Sequence, residues 1–340
     1  MNVIGIESSC DETSIGLVRD GQHVLASLIY SQVDEHKQFS GVVPEIASRA
    51  HVEKINFIFH SALKQANMTA GDIDLIGIVN QPGLVGSLMV GVAFAKTLSL
   101  YINKPIITVN HLIAHLYANF LLKAIPEFPY IGLVVSGGHT LLLIAKSHFE
   151  YEIAGSTLDD AVGEAYDKVA KLLGLGYPGG PVMDRIAREH TGEYVKFNPG
   201  LKSSKKNKYN FSYSGIKTAV LYHIRDNPCY DRNKVVKGFQ IAAIDILLEK
   251  TKALSADTGI ERIVVAGGVA ANSYLREIFG NEKGMKVFLP ELRYCTDNGA
   301  MVASCAYYKS QLNQSENMDF DVYSKPSGGG RSYLKSILKI

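Results

Sequence analysis

The segment His111-Leu112-Ile113-Ala114-His115 sets two imidazoles four residues apart. On a helix that spacing brings both onto one face, close enough to bind a single metal ion. A peptide-hydrolysing zinc site would carry a glutamate directly after its first histidine as general base. Leu112 stands there instead, which argues against peptide hydrolysis. A shared ion needs a third ligand, an oxygen, and Asp297 in Cys295-Thr296-Asp297-Asn298 is the candidate. Two histidines and a carboxylate leave coordination positions open for substrate and suit iron or zinc. Histidine pairs at this spacing also arise by chance, so the pair alone leaves a structural role open.

A second kind of chemistry is anion binding. In Ser136-Gly137-Gly138-His139-Thr140 the glycines have no Cβ to keep an anion from the backbone N–H groups, although an ordinary hairpin turn reads the same way. Gly267-Gly268 ends an apolar run and precedes Asn272, a second such place. Gly174 to Gly179 spells the dinucleotide pattern G-x-G-x-x-G, but it follows a helical stretch, Asp160 to Leu173, where the pattern must follow a strand. Gly174 reads instead as the C-terminal cap of that helix. The stretch has Val162, Ala165, Tyr166, Val169 and Leu173 on one face and a polar stripe with Asp167 on the other. The stripe reads as solvated, yet Asp167 or Asp184, near Pro178-Gly179-Gly180-Pro181, could accept hydrogen bonds from ribose hydroxyls. The chain contains neither a P-loop nor G-x-S-x-G, and no serine or cysteine has a convincing local base.

Strands and helices must position these groups. Val3 to Ile6, Ile15 to Val18, Val24 to Ile29, Leu75 to Val79 and Ile106 to Val109 read as strands, and Pro44 to Lys64 and Gly86 to Tyr101 as helices. Asn110 suits the cap of the helix that carries the histidines. A second series follows, with strands at 131–135, 140–144 and 263–266 and a helix from about Asn272. The order predicts an α/β fold with mixed sheets, and its strand-turn-strand openings suggest a duplication that one sequence does not establish.

At 340 residues, 46% hydrophobic and 20% charged, the chain has the composition of a folded protein large enough for two cores. A net charge of +2 gives no general attraction for nucleic acid, so a basic patch would be local. Lys202, Lys205, Lys206 and Lys208 beside Tyr209 form one such run, which also reads as a solvated loop. Four scattered cysteines, Cys10, Cys229, Cys295 and Cys305, suggest neither a disulfide framework nor a cysteine zinc site. The start has no basic region typical of a secretory signal, and the apolar stretch Leu84 to Ala95 is short of the roughly 20 residues that span a bilayer. A cytoplasmic enzyme is expected, with a polar, loosely held tail from about Gln311.

Several motifs together resemble one family. They are Ile6-Glu7-Ser8-Ser9-Cys10-Asp11-Glu12-Thr13, Val43-Pro44-Glu45-Ile46-Ala47-Ser48-Arg49, Asn110-His111 with His115, and Val135-Ser136-Gly137-Gly138-His139-Thr140. Thr157-Leu158-Asp159-Asp160-Ala161, Phe211-Ser212-Tyr213-Ser214-Gly215-Ile216-Lys217-Thr218, Gly267-Gly268-Val269-Ala270-Ala271-Asn272 and Cys295-Thr296-Asp297-Asn298-Gly299-Ala300 complete the set. In this order, over roughly residues 3 to 308, they are similar to the tRNA N6-adenosine threonylcarbamoyltransferases.

The resemblance implies a two-lobed actin-like ATPase (ASKHA, ribonuclease H-like) fold, with duplicated mixed sheets flanked by helices around a nucleotide cleft. The expected domains are 1–115, completed by the helix at about 297–310, then 116–296, then the tail 311–340. It implies one divalent ion, ferrous iron in preference to zinc, on His111, His115 and Asp297, and no membrane association. Contacts to nucleotide or acyl-adenylate are implied for Val134, Val135, Ser136, Gly137, Gly138, Asp167, Gly180, Asp184 and Asn272. Asp11 and Glu12 correspond to the family's acidic pair, and His139 is a candidate to relay the proton lost by the acceptor amine. The implied reaction moves a threonylcarbamoyl group from threonylcarbamoyl-AMP to N6 of adenosine 37, beside the anticodon, in tRNAs reading codons that begin with A. Implied partners are tRNA, a paralogous actin-like subunit and a small P-loop ATPase.

The chain departs from relatives at Ile113, where many carry glutamate, at Gln81, where glycine is usual, and in its tail. Two rival readings are a kinase of the same superfamily and a non-catalytic subunit. The acidic Glu7-to-Glu12 hairpin would repel a triphosphate, and possession of His111, His115 and Asp297 together disfavours the subunit.

Overall fold

The computed structural model describes residues 1–39, 41–198, 207–312 and 318–325. In chain order its elements begin with β1 (Asn2–Glu7), β2 (Glu12–Arg19), β3 (His23–Ser31), α1 (Val33–His36), α2 (Pro44–Ala66), β4 (Leu75–Gln81), α3 (Val85–Ile102), β5 (Ile106–Asn110) and α4 (His111–Tyr117). There follow β6 (Tyr130–Val135), β7 (Thr140–Ser147), β8 (Glu150–Ser156), α5 (Val162–Leu172), α6 (Gly179–Glu189), α7 (Ser214–Asp226) and α8 (Arg232–Thr258). The last are β9 (Arg262–Ala266), α9 (Ser273–Gly280), β10 (Lys286–Phe288) and α10 (Gly299–Ser310).

Two compact units divide the chain. The first comprises Met1–Pro126, Ser147–Glu150 and the chain from Arg293, and the second Glu127–Lys146 and Tyr151–Leu292. The boundaries expected from the sequence lie at 115/116 and 296/297. The helical turn Ala118–Leu121 stays with the first unit because its residues are buried and pack against α10.

Each unit holds a five-stranded sheet, ordered β3-β2-β1-β4-β5 in the first and β10-β9-β6-β7-β8 in the second. Read outward from β1 or β6, the pattern is the same. An antiparallel hairpin lies on one side (β1 with β2, β6 with β7) and parallel strands on the other (β1 with β4, β6 with β9). The central strands are rich in valine and isoleucine and buried apart from Gln81 and Arg262 at strand ends, as strands covered on both faces must be.

In the first unit, side-chain alternation sorts the two faces of β1. Ile4 and Ile6 join a core with Ile55, Phe59, Ala62 and Leu98 from α2 and α3. On the other face Gly5 is in register with Gly16 of β2 and Gly77 of β4, forming a bare track across three strands. A Cβ on Gly5 would lie 2.0 Å from the Gly299 carbonyl oxygen, and one on Gly16 would lie 2.2 Å from Ala300 N. The first turn of α10 therefore rests directly on the sheet backbone, and α10 is buried almost throughout.

The 18-residue α3 is longer than its most apolar stretch suggests, and it buries Leu88, Val92, Ala95 and Leu98 as a core helix. The expectation of a loosely held tail needs correction for 318–325. Met318, Phe320 and Val322 pack against the core, Lys96 Nζ donates to Phe320 O at 2.8 Å, and Asn80 Nδ2 donates to Asp321 O at 3.0 Å.

Substituting Gly5→Ala sets a methyl against main chain that cannot yield. The expected cost is about 1–3 kcal/mol, read as a lower midpoint in denaturant unfolding, with loss of bound metal as α10 is displaced. A variant that unfolds at the wild-type midpoint would show that α10 does not need this contact.

Candidate metal centre

The Asn110 side chain accepts from Leu112 N at 2.9 Å and Ile113 N at 3.3 Å, so α4 begins at His111, directly off the end of β5. One turn later comes His115, and the two rings meet edge to face with centroids 4.7 Å apart. Asp297 arrives from the far end of the chain. Beside it Asn298 accepts from Met301 N at 2.9 Å and donates to Thr296 O at 2.8 Å and Tyr294 O at 3.2 Å. That capped corner presents Asp297 to the histidines. Asp297 Oδ1 lies 3.2 Å from His115 Nε2 and 3.7 Å from His111 Nε2.

These residues fit a metal ion. Their ligand atoms all lie within 4.8 Å of one another. Ligands of a tetrahedral ion, each roughly 2 Å from the metal, stand roughly 3.4 Å apart. His115 is wholly buried, and neither of its ring nitrogens has a hydrogen-bond partner among the described residues. Its approach to Asp297 is close but lacks hydrogen-bond geometry. An unsatisfied buried imidazole is costly, and a cation at Nε2 removes half of that cost. For His111, burial opposes a positive charge, but Asp297 and Glu7 outweigh it and raise the imidazole pKa to about 9.

The acidic pair belongs to the same unit. Burial first, then the charges of Asp297 and Asp11, raise the Glu12 carboxyl well above the ordinary range. Burial and Asp11 likewise raise the Cys10 thiol. Such crowding of carboxylates favours a bound cation.

In the second unit, Ser136 N donates to His139 O at 2.9 Å and His139 N donates to Ser136 Oγ at 3.2 Å, closing the glycine turn. Gly137 and Gly138 are exposed, with open space where a side chain would stand. The start of α5 packs beneath, since a Cβ on Gly163 would lie 2.7 Å from Ser136 O. Val134 and Val135 are wholly buried, so only their main chain is available to a ligand. Asp167 accepts from Gly179 N at 2.8 Å, fixing the first turn of α6, which contains Gly180. Asp184 accepts from Ser273 Oγ at 2.7 Å, and Asn272 caps α9 while donating to Gln240 Oε1 at 2.9 Å. Gly267, at φ +95°, has no room for a Cβ beside Val135 O. Asp159 accepts from Tyr213 N at 2.8 Å, joining the 157–161 and 211–218 motifs. Lys202, Lys205 and Lys206 lie outside the described residues, and Lys208 is paired with Asp257.

The sequence profile of one family, described as tRNA N6-adenosine threonylcarbamoyltransferase, matches residues 23–304. The proteins of that name from Brachyspira hyodysenteriae and Caldicellulosiruptor bescii are 48% and 51% identical to this chain. The first alignment covers 96% of this chain and 96% of the relative, the second 92% and 94%. This chain belongs to the tRNA N6-adenosine threonylcarbamoyltransferase family. It is accordingly a transferase. Among solved structures, component A of (R)-2-hydroxyglutaryl-CoA dehydratase from Acidaminococcus fermentans has a TM-score of 0.54 at 14% identity, covering 92% of this chain and 99% of that one. That likeness concerns the fold alone, the actin-like ATPase fold with its paired mixed sheets.

Of the residues that the family resemblance singles out, His111, His115, Asp297, Asp11 and Glu12 fall in the first unit. The 134–139 turn, Asp167, Gly180, Asp184 and Asn272 fall in the second. Glu7 and Ser9 were missed as site residues. Glu7 Oε2 and Ser9 Oγ lie 3.0 and 3.2 Å from His111 Nδ1. The available signal was a carboxylate at the inward position of the apolar strand Val3-Ile4-Gly5-Ile6-Glu7.

Substituting His115→Ala should lower bound iron or zinc from about one ion per chain to near none, by elemental analysis after loading, with the far-ultraviolet circular dichroism unchanged. Full retention would remove His115 from the ligand set. In metal-free protein, His111 is raised from 6.5 to about 9, so its charge stabilises fully below pH 6.5, and that contribution is lost as pH climbs through about 9. The melting temperature of metal-free protein should fall over that window, and Asp297→Asn should flatten the dependence. An equally steep profile in the variant would contradict this assignment.

Proposed function

We propose that this transferase moves the threonylcarbamoyl group of threonylcarbamoyl-AMP to N6 of the adenosine beside the anticodon in tRNA, with ferrous iron, or zinc in its place, held by His111, His115 and Asp297. The observation that carries the reading is the buried, hydrogen-bond-free His115 imidazole facing Asp297 in a chain of this family. A divalent ion there would supply Lewis-acid polarisation of donor oxygens.

The donor is a mixed anhydride whose AMP leaves readily, so no enzyme nucleophile is required. The raised Cys10 thiol, a poor nucleophile while protonated, agrees with that. Attack is hard for the adenine amine, which is delocalised into its ring, and orientation and charge placement must make up the difference. Gly137 and Gly138 leave the backbone of the 136–139 turn open to a phosphate or developing oxyanion. His139 is the candidate to take the amine proton. In this reading Asp167, Gly180, Asp184 and Asn272 shape the adenylate pocket: Asp167 fixes the bend at Gly179, and Asp184 keeps acceptor capacity for a ribose hydroxyl. Asp11 and Glu12 bias the surroundings of Asp297 towards cations.

The family resemblance also motivates a paralogous actin-like subunit and a small P-loop ATPase as partners, and a cytoplasmic location, where tRNA is found. In support of a partner, α2 and α3 leave Phe57, Leu100 and Tyr101 more than 70% exposed.

The test is reconstitution with metal, partners, threonylcarbamoyl-AMP and unmodified tRNA, followed by mass analysis of nucleosides. Wild-type protein should form the modified adenosine, and a His111→Ala/His115→Ala variant should lose at least about 100-fold in rate. A double variant working at the wild-type rate would end the metal reading.

A further inference from the structure

The strand that supports the metal helix also carries a carboxylate without an assigned role. Glu7 ends β1, and the alternation that turns Ile4 and Ile6 towards α2 and α3 turns Gly5 and Glu7 towards α10. The Glu7 side chain is wholly buried. A buried carboxylate is stable only when its oxygens are satisfied. Among the described residues Glu7 has two hydrogen-bond partners. Its Oε1 accepts from Ser9 N at 2.6 Å, and its Oε2 lies 3.0 Å from His111 Nδ1.

That second contact decides which nitrogen of His111 carries the proton. A carboxylate only accepts, so the proton sits on Nδ1. In the neutral ring that binds a metal, Nε2, the nitrogen 3.7 Å from Asp297 Oδ1, is then the one that keeps a lone pair. At His115, Nδ1 has no carboxylate beside it, and Asp297 approaches Nε2 without hydrogen-bond geometry. The two histidines are therefore unequal: Nδ1 of His111 has a carboxylate behind it, and Nδ1 of His115 has none. Ser9 Oγ, 3.2 Å from the same Nδ1, can accept or donate and so fixes no tautomer by itself.

We propose that Glu7 is a positioning residue for the metal centre: by accepting the Nδ1 proton of His111 it locks the ring and tautomer that offer Nε2 to the ion. This rests on the metal reading given above. The glutamate's charge also strengthens the imidazole as a ligand, as carboxylates behind metal-binding histidines do. Because Glu7 belongs to a central strand, ring orientation is tied to the sheet and does not depend on α4 alone.

The experiment compares wild-type protein with Glu7→Gln and Ser9→Ala in competition with a chromogenic chelator, using zinc and cobalt(II) as probes. Glutamine keeps an oxygen for Ser9 N, so the hairpin survives. It loses the charge, however, and can donate to Nδ1, favouring the tautomer that cannot bind through Nε2. Glu7→Gln should weaken zinc binding about 10–100-fold and alter the visible cobalt spectrum. Ser9→Ala should stay within about threefold, well inside the 10–100-fold effect expected of the partner that matters. Wild-type affinity and spectrum in Glu7→Gln would overturn the proposal while leaving the metal reading intact. Wild-type protein that binds neither ion would overturn both. If Glu7→Gln does not fold, long-range nitrogen–proton NMR of zinc-loaded wild-type protein decides. A His111 protonated at Nδ1 and bound through Nε2 supports the assignment, and the reverse overturns it.

Discussion

The contact between α10 and the bare glycine track of β1, β2 and β4 is the constraint from which the meeting of His111, His115 and Asp297 follows. Gly299 and Ala300 press against backbone at distances that admit no side chain on Gly5 or Gly16. Asp297 lies two residues before Gly299, so its position relative to the sheet inherits that closeness. The histidines reach the same place by another route, because α4 starts on the last residue of β5. A cluster assembled from residues nearly two hundred positions apart is thus held by strand register and helix seating.

Electrostatics then explains why the place suits a cation. Asp297 and Glu7 act on the His111 imidazole, and Asp297, Asp11 and Glu7 act on the Glu12 carboxyl. The crowding acts in opposite directions: the Glu12 carboxyl is pushed towards its neutral form and His111 towards its charged form. Both changes offset surplus negative charge, and one divalent ion would do the same without protons. The rigid burial of α4 keeps the rings from turning outward to find other partners.

The second unit repeats the strand order with different equipment. Its opening hairpin has glycine where the first unit has an acidic run, so its backbone donors stand open while the first hairpin presents carboxylates. One architecture, duplicated, thereby carries an acidic opening hairpin in the first unit and a glycine-rich one in the second. Gly163 beneath the turn and Gly267 beside Val135 show that this hairpin is also seated by close backbone approach.

Much of this was legible in the chain itself. The i, i+4 histidines, the capping Asn110 and the apolar runs determine a helix bearing two imidazoles, because local spacing and hydrogen bonding act over a few residues. The ordered motifs were enough to identify the family. The duplication was only hinted at, since equivalent strands share a pairing pattern and little sequence. Nor could local rules reveal that Gly5, Gly16 and Gly77 share one row, or that Met318, Phe320 and Val322 fold back onto the core. Only tertiary structure decided that Glu7 stands behind His111 and that Asp297 faces both histidines. Such contacts depend on strand register and helix seating, which bring together residues that no sequence window contains.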